Sequence, residues 1–344
     1  MKIEEHVLLA TLTTFKVGGP ARYVITCATQ TDLVEGIQFA KDHNLPVIVL
    51  GGGSNVLSPD DSYEGVVLVM DMQGITEEEL GGDSVAVSVS AGVPWDSFVT
   101  YATEKGMWGV ENLAGIPGST GATPVQNIGA YGMDVSQTIT NVSVYDTSSK
   151  TEYSLSPAEC DFGYRQSRFK KESSLIITNV TFKLSRVGTP HTGYPDLQTA
   201  KAEGVILETP QDIAKAVREI RSRKFPDLNT FGTAGSFFKN PILTQEQFAE
   251  LSKEYGAIPS FPHPDGVKVP LAFILDKVLT LKGYKKGHTF LFGNQPLVVV
   301  AEPEATSKEI ESLAQEIEKK VFDATHIVIE REVTNIFSHE IKKI

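Results

Sequence analysis

Cysteine is scarce in this chain. Only Cys27 and Cys160 occur among its 344 residues, and they form no CxxC motif. So low a count does not make a disulfide framework, and a chain of this length can bury a large core without one. We therefore expect a protein of a reducing compartment, the cytoplasm.

Long apolar runs and metal-binding patterns are lacking as well. The chain has no run of about 18 apolar residues, so we expect no transmembrane helix and no membrane insertion. The first residues, MKIEEHVLLATLTTF, include early acids and no long apolar core, unlike a signal peptide. The seven histidines show neither HExxH nor HxxxH spacing, a pattern that gives no support for a metal site.

Positively charged residues are fewer than negatively charged ones. The 31 Lys and Arg residues are outnumbered by 43 Asp and Glu residues, which gives a formal net charge of -12. This balance excludes a general affinity for nucleic acid or for an anionic membrane surface. It is compatible with an anionic substrate, because a few well-placed cations can outweigh the global field locally.

The rest of the composition is that of an ordinary globular protein, with 41% hydrophobic and 22% charged residues. At roughly 100–200 residues per domain, the length predicts two or three domains. Residues 1–70 alternate strand and helix signals. They predict a strand over 21–27, a helix over 31–43 capped by Thr31, and a short apolar strand over 46–50.

Strand signals dominate the next part of the chain. The predicted elements are one helix over 95–105 and strands over 66–70, 85–89, 142–145 and 175–184. A loop over 113–132 interrupts them, and a structureless loop of that length in a compact domain is usually functional. The polar run 185–198 is predicted to be a linker or an excursion. Thr209 and Pro210 then begin a helix that ends near 224.

The residues after about 226 predict a separate α+β unit. Its expected elements are helices over 245–255, 271–279 and 307–321 and strands over 297–300 and 326–329.

Two glycine-rich segments are the first candidates for a ligand site. Residues 51–55, GGGSN, follow a predicted strand, so several backbone N–H groups can point at one anion. The segment is neither GxGxxG nor a Walker loop, and a tight structural turn explains it equally well. Residues 116–132 contain IPGSTGATP and QNIGAYG, whose glycines allow close approach to a ligand. Together the two can enclose a diphosphate, and an Ω-loop packed on itself is the alternative.

Four further residues carry reactive or charged groups, each with a structural alternative. Arg165, in FGYR, presents a planar fork that pairs with a carboxylate, although a surface ion pair is the commoner role of a single Arg. The same holds for Lys224. Ser236, in GSFFKNP, lies outside any GxSxG nucleophile elbow, and a turn or cap role would explain it. Glu332 follows the last predicted strand, where a carboxylate is either an acid near a cleft or simply exposed.

Taken in this order, these segments resemble one family, the UDP-N-acetylenolpyruvoylglucosamine reductases. The similarity covers about 14–336, and the strings GSFFKNP and QNIGAYG are together highly specific. GGGSN alone would also suit the wider class of flavoenzymes with the vanillyl-alcohol-oxidase (PCMH) type of FAD domain. The resemblance implies an α+β fold, with an FAD-binding domain of that type made of two α+β subdomains and a C-terminal α+β substrate-binding domain.

The domain boundaries expected for such a chain are as follows. Residues 1–70 form the first FAD-binding subdomain and 71–224 the second, with the FAD-binding region proper over about 15–185. The excursion over 185–200 carries Tyr194, and 225–344 form the substrate-binding domain. A Tyr-bearing segment at this place resembles the longer of two family subtypes, in which the Tyr closes over the substrate.

The resemblance also implies the activity. It is the NADPH-dependent, FAD-mediated reduction of UDP-N-acetylglucosamine enolpyruvate to UDP-N-acetylmuramate in peptidoglycan precursor synthesis. The partners are then FAD, NADPH and the UDP-sugar, and we expect a monomer. Arg165 is expected to hold the substrate carboxylate with Glu332 beside it, and Ser236 to give a proton to the carbon next to the one that receives hydride.

The contacts implied by the resemblance fall on both glycine-rich segments and on scattered polar residues. For the cofactor they are Gly51, Gly52, Gly53, Ser54, Asn55, Ile116, Pro117, Gly118, Ser119, Gly121, Ala122, Gln126, Asn127, Gly129 and Ala130. For the substrate they are Tyr131, Tyr164, Tyr194, Lys224, Asn240, Lys268 and Gln295. Two positions depart from the family pattern: Phe261 stands where an aromatic hydroxyl is expected, and Thr334 where a basic residue is expected.

Two other functions fit the same segments. An FAD-dependent oxidase of a small alcohol or sugar would share the FAD domain, would react with oxygen and would not need Ser236 as an acid. A non-catalytic nucleotide-sugar binding protein would keep the glycine-rich segments and the cations without a redox cycle.

Overall fold

The computed structural model describes residues 1–336. The first part of the chain is a four-stranded sheet, in the order β1-β2-β5-β3, with one helix packed on it. Its elements, with the short strand β4, are β1 (Lys2–Leu8), β2 (Pro20–Cys27), α1 (Gln30–Asp42), β3 (Val47–Leu50), β4 (Val56–Leu57) and β5 (Tyr63–Met70). β5 pairs in parallel with β2 and with β3. The segment 51–55 therefore begins at the carboxyl end of a parallel strand, a common place for ligands in such sheets.

The second part is an antiparallel sheet of five strands, in the order β11-β10-β12-β7-β6. Its strands and short pairs are β6 (Ile75–Gly81), β7 (Ser84–Ser90), β8 (Gly129–Ala130), β9 (Met133–Asp134), β10 (Ile139–Asp146), β11 (Thr151–Leu155) and β12 (Leu175–Ser185). Its helices are α2 (Trp95–Glu104), α3 (Ala122–Gln126), α4 (Arg168–Lys171), α5 (Pro195–Ala202) and α6 (Pro210–Lys224). The buried residues of α2 and α6 share one hydrophobic core with the sheet, around Trp95, Phe98 and Phe182.

The third part has its own core between two small sheets and two helices. The strand orders are β13-β15-β14 and β16-β17-β18. The elements are β13 (Ile242–Leu243), α7 (Gln245–Tyr255), β14 (Phe261–His263), β15 (Gly266–Lys268), α8 (Leu271–Phe273), β16 (Lys285–Lys286), β17 (Thr289–Phe292), β18 (Gln295–Ala301), α9 (Ser307–Thr325) and β19 (Thr334–Asn335). A π-helical turn, Ile274–Val278, continues α8.

Several contacts join the third part to the first, and two of them bear on the site and on α9. β19 pairs in parallel with β4, which brings Glu332 beside the glycine-rich segment 51–55. Asp60 accepts hydrogen bonds from the backbone N–H groups of Ser307 at 2.8 Å and Lys308 at 3.1 Å. A carboxylate at this position satisfies free donors at the start of α9 and complements the helix dipole.

The structure confirms most of the predicted helices and strands and corrects five points. Thr29, not Thr31, caps α1, since the backbone N–H of Asp32 donates to its hydroxyl. The supposedly structureless loop over 113–132 contains α3 and β8. The excursion over 185–198 ends in α5, which begins at Pro195. The helix over 271–279 is a short α-helix followed by the π-helical turn.

The strand predicted over 326–329 is wrong. His326 adopts a left-handed conformation, φ 54°, that ends α9. The residues after it have only isolated backbone bonds to the neighbouring segment, such as Lys239 N to Glu330 O at 2.9 Å. Regular pairing begins only at Thr334.

The predicted domain boundaries at 70 and 224 stay a prediction, and residues 337–344 of the expected third domain lie outside the described residues. No helix within residues 1–336 combines the length and the apolar character needed to cross a membrane.

Candidate active site

The two glycine-rich segments lie against each other. The Ser54 hydroxyl donates to the Pro117 carbonyl at 2.9 Å. A Cβ atom built on Gly52 would lie 2.7 Å from the Cα atom of Gly118, closer than real side chains approach. Only glycine allows this approach of two backbones. The two segments are thus neighbours, and their joint contact with one ligand stays a prediction.

A first cavity, of about 380 Å³, opens beside these segments. Its wall is formed by β3, residues 51–56, the 119–126 region, the end of α4 and the start of β12. The Ser119 hydroxyl and the Gln126 carbonyl oxygen are buried there and have no hydrogen-bond partner within residues 1–336. Leaving such groups unpaired costs roughly 1–3 kcal/mol each. The mixture of apolar strand residues and unpaired polar atoms fits a ligand with a ring system and a diphosphate.

A second cavity, of about 280 Å³, adjoins the first and shares part of its wall with it, including Ser54, Asn55, Ser119 and Gln126. Three elements far apart in sequence bring the predicted catalytic residues Arg165, Ser236 and Glu332 to this cavity.

Most other predicted contacts also line one or both cavities. Of the predicted cofactor contacts, these are Gly51, Gly52, Gly53, Ser54, Asn55, Ile116, Pro117, Gly118, Ser119, Gly121, Ala122, Gln126, Gly129 and Ala130. Of the predicted substrate contacts, these are Tyr131, Tyr194, Lys224, Asn240 and Gln295.

Asn127, Tyr164 and Lys268 line neither cavity. Asn127 is buried, and its side-chain amide donates to the Gly163 carbonyl at 2.9 Å, so it shapes the turn. Tyr164 accepts a hydrogen bond from the Asn240 backbone N–H at 3.3 Å. The Lys268 ammonium lies 4.9 Å from the centre of the Tyr164 ring. Tyr164 therefore contacts Asn240 directly, and Lys268 contacts Tyr164.

Arg165 and Glu332 form a hydrogen-bonded ion pair. Arg165 Nε donates to Glu332 Oε1 at 2.8 Å, and Arg165 Nη2 donates to the Gly129 carbonyl at 2.7 Å. Both side chains are largely buried, with 17% and 16% of their surface exposed. Burial acts to lower the pKa of the Arg165 guanidinium, but the charges of Glu332, Tyr164 and Asp134 outweigh it and the pKa is raised. A permanent, fixed cation is the result.

Ser236 follows Gly235, whose φ of +75° turns the chain into the cavity. Its backbone forms an isolated antiparallel bridge with Val298 of β18. The neighbouring Phe237 and Phe238 are fully buried and anchor the segment in the C-terminal core. Within residues 1–336 the Ser236 hydroxyl makes no hydrogen bond, so it is free to bond to a ligand.

The segment before α5 covers one side of the second cavity. The rings of Tyr194 and Tyr131 meet edge to face, with 5.2 Å between their centres. Burial raises the pKa of Tyr131 to about 12, so this phenol is neutral in ordinary buffers. Lys224 Nζ lies 2.5 Å from Asp196 Oδ2, which ties α5 to α6.

Two charged wall residues of the second cavity, Asp196 and Arg221, are not predicted from the sequence. The only signal for Arg221 is its spacing of three residues from Lys224, which places both on one helical face. Asp196 gives no signal, because an acid in the first turn of a helix is ordinary. Within residues 1–336 no cluster of three His, Cys, Asp or Glu residues is suited to hold a metal ion.

Comparison with known proteins agrees with this geometry. A family model described as an FAD binding domain matches residues 21–152. A second, described as the C-terminal domain of UDP-N-acetylenolpyruvoylglucosamine reductase, matches residues 227–336.

Two relatives named UDP-N-acetylenolpyruvoylglucosamine reductase illustrate the similarity. The protein from Chromobacterium violaceum is 41% identical over 292 residues, which are 83% of this chain and 85% of the relative. The protein from Pseudomonas aeruginosa is 35% identical over 324 residues, or 93% and 95% of the two chains.

Solved structures agree at the level of the fold. UDP-N-acetylenolpyruvylglucosamine reductase from Thermus caldophilus has a TM-score of 0.67 at 24% identity and covers 97% of this chain and 99% of its own. The 6-hydroxy-D-nicotine oxidase of Arthrobacter nicotinovorans has a TM-score of 0.52 at 14% identity, with 90% and 81% covered. The predicted α+β flavoprotein fold is thereby confirmed. The chain belongs to the UDP-N-acetylenolpyruvoylglucosamine reductase family of FAD-dependent oxidoreductases.

Proposed function

We propose that this protein reduces UDP-N-acetylglucosamine enolpyruvate to UDP-N-acetylmuramate, a step of peptidoglycan precursor synthesis, with FAD as bound cofactor and NADPH as reductant. The names of its relatives support the reaction class. We also propose that it acts in the cytoplasm as a monomer of three domains, over 1–70, 71–224 and 225–344.

The observation that carries the proposal is the composition of the second cavity. This cavity is lined by a fixed guanidinium, a carboxylate paired with it and a hydroxyl that has no hydrogen-bond partner among residues 1–336. An enolpyruvyl ether has a carboxylate conjugated to its double bond, so hydride addition pushes negative charge toward that carboxylate. The site therefore supplies the two groups that such a reduction needs, which are a cation for the developing charge and a proton donor.

FAD fits the first cavity, and the residues of 51–55 and 119–126 would hold it. When bound, it supplies the hydride chemistry, which no side chain can perform. The unpaired Ser119 and Gln126 oxygens are suited to bond to its polar groups. Arg165 binds the substrate carboxylate through the N–H groups not engaged by Glu332. Glu332 shares a proton in this complex so that it does not repel the developing charge. Ser236 Oγ donates a proton to the substrate carbon next to the one that receives hydride.

The remaining wall of the second cavity suits a nucleotide diphosphate. It is lined by Lys224, Asn240, Gln295, Tyr131 and Tyr194. The Gln295 carbonyl oxygen is buried and has no hydrogen-bond partner in the described part of the chain. Tyr164 holds the Asn240 backbone by a hydrogen bond, and Lys268 lies against the Tyr164 ring. Lys224 is neutralised by Asp196 here, so a diphosphate has to share or replace that contact. Phe261 lacks the aromatic hydroxyl and Thr334 lacks the positive charge that the family pattern predicts, so neither offers the expected diphosphate contact.

The FAD should be held without a covalent bond. Neither cavity, as lined by residues 1–336, includes a His or Cys side chain that could attach to a flavin. We expect acid precipitation of the purified protein to release all the yellow colour into the supernatant, where chromatography finds FAD. Colour that stays in the pellet would contradict the proposal, as would recovery of FMN, which lacks the diphosphate.

Tyr194 is proposed to close over bound substrate, as in the longer family subtype. Its side chain is 38% exposed, and its ring rests on Tyr131. Lids of this kind exclude water and complete a site. Tyr194→Phe keeps the ring contact and loses the hydroxyl, so the substrate Kd should rise about tenfold, the scale of one hydrogen bond to a charged group. Reduction of the bound FAD by NADPH should stay close to the wild-type rate.

A matched control is Tyr153→Phe, which removes a hydroxyl from an exposed tyrosine of β11; it should leave the substrate Kd unchanged. Limited proteolysis over 185–194 provides a second readout. Cutting there should slow when substrate is present, and equal cutting with and without substrate would argue against a lid.

The reaction itself is tested by following NADPH at 340 nm, the ordinary wavelength for this assay, with and without the enolpyruvyl substrate. We expect rapid consumption only when the substrate is present, with one UDP-N-acetylmuramate formed for each NADPH oxidised. An oxidase of the same fold would instead consume oxygen with a small alcohol or sugar. A nucleotide-sugar binding protein would show no flavin absorption and no NADPH consumption.

A further inference from the structure

Arg218, Arg221 and Lys224 follow one another at spacings of three residues along α6, in a row that begins with Lys215. Arg218 pairs with Asp96, at 2.9 Å between Nη2 and Oδ1, and Lys224 pairs with Asp196. Arg221, between them, has no carboxylate within ion-pair distance among residues 1–336. Its Nε donates to the Gly115 carbonyl at 3.0 Å, and its guanidinium carbon lies 4.5 Å from the centre of the Phe225 ring. Of Arg218, Arg221 and Lys224, Arg221 is thus the one without an ion-pair partner in the described part of the chain.

The position of Arg221 makes this unusual. It is partly buried in the wall of the second cavity, and burial lowers the pKa of its guanidinium. Burying a cation without a counter-charge is costly, so a partly buried Arg221 that meets no carboxylate among residues 1–336 points to an anion that arrives with the ligands. The nearby ionisable groups do not supply one. Asp96 is already bonded to Arg218 and to the Gly115 N–H, and Tyr131 stays neutral because burial raises its pKa to about 12.

The neighbours of Arg221 indicate which anion this is. Gly115 directly precedes the segment 116–122, which lines the second cavity and continues into the first. The two cavities share wall residues of this segment, so a flavin held in the first cavity would reach a substrate beside Ser236 by extending its ring along it. Hydride addition brings one proton and two electrons to a neutral ring and leaves it with one negative charge. In the complex proposed above, the substrate carboxylate and diphosphate have Arg165 and Lys224 as their cations.

We propose that Arg221 is the counter-charge of the reduced cofactor, stabilising the negative charge that the flavin ring of FAD acquires when it accepts hydride. The inference rests on the proposed function only in that FAD occupies the site. A cation beside the ring nitrogens raises the reduction potential and keeps the ring from taking up a second proton.

The test is an anaerobic dye-coupled reduction of the FAD-loaded protein, which requires neither NADPH nor substrate. It is done in mildly acidic buffer, where free reduced flavin carries the second proton. We expect the wild type to take up one proton per two electrons and to show the spectrum of the anionic reduced flavin. Arg221→Met should take up two, with the equilibrium for reduction weakened about tenfold or more, which is about 30 mV for a two-electron couple.

Two variants serve as controls. Arg221→Lys keeps the charge and should keep one-proton uptake. Arg223→Met removes the same charge from an exposed position of α6 and should behave as the wild type. Two-proton uptake by the wild type would overturn the proposal, as would an Arg221→Met variant whose potential and proton uptake are unchanged. A weaker UDP-sugar Kd in Arg221→Met at an unchanged potential would also overturn it, because Arg221 would then serve a substrate anion. Purification of the wild type without FAD would instead refute the proposed function.

Discussion

In Ser236→Ala, reduction of the bound flavin by NADPH should proceed close to the wild-type rate, while its reoxidation by the substrate falls about 10²-fold or more. The reaction divides into two half-reactions, and only the second delivers a proton to carbon. A positioned acid contributes on the order of 10²–10⁴ in rate. The hydroxyl is free of protein partners within residues 1–336, so its removal leaves the Arg165–Glu332 pair undisturbed. Stopped-flow absorbance measures the two half-reactions separately.

Ser236→Cys is the matched variant for this test. A thiol also gives a proton, so part of the second half-reaction should return while the side chain stays small. Deuterium washout from the substrate in Ser236→Ala would show that hydride still adds reversibly. If Ser236→Ala reoxidises with substrate as fast as the wild type, Ser236 is not the donor, and Glu332 or a bound water takes its place.

Arg165→Lys should lower the rate of the same half-reaction by on the order of 10²–10³, the cost of removing one preorganised donor from a site of developing negative charge. Lysine keeps a positive charge but lacks the planar fork, and it cannot serve Glu332, Gly129 and a substrate carboxylate together. Reduction of the flavin by NADPH should change little. The two half-reactions are again measured by stopped-flow absorbance.

Glu332→Gln controls for the loss of the ion pair. Glutamine keeps an acceptor for Arg165 Nε, so the fold around the cavity should survive and the melting temperature should change less than in Arg165→Met. An Arg165→Lys variant with a normal second half-reaction would show that the substrate carboxylate binds elsewhere, and the assignment of the second cavity would fail.

The sequence predicts which segments form the candidate site, but it does not predict every residue that acts there. The glycine-rich segments 51–55 and 116–132 are recognisable from composition alone, because close backbone approach demands glycine. Ser236 and Glu332 carry no such signal, and the family resemblance is what singles them out. The structure brings both to the cavity that holds Arg165. Asp196 and Arg221 escape prediction, because what distinguishes them is the presence or absence of a counter-charge in three dimensions.

The fold, like the site, can be predicted from the sequence only in part. The sequence locates α6, α7 and α9, and it predicts the capping role of Thr209 at the start of α6. The structure adds Thr244 and Thr306 as the caps of α7 and α9. The strand expected over 326–329 fails because its apolar residues, Ile327 and Ile329, fill the C-terminal core without regular backbone pairing. Burial of every second residue, Ile327 and Ile329, produces the alternating apolar pattern of a strand although no strand forms. The parallel pairing of β19 with β4, which places Glu332, joins residues more than 270 positions apart and leaves no local trace.

The most direct test of the account is an anaerobic titration followed by absorbance. NADPH is first added until the flavin absorption of the purified protein disappears, and UDP-N-acetylglucosamine enolpyruvate is then added without oxygen. We predict that the oxidised flavin spectrum returns in full, with one UDP-N-acetylmuramate formed for each flavin. A spectrum that stays bleached after the substrate is added, and recovers only when air is admitted, would contradict the account.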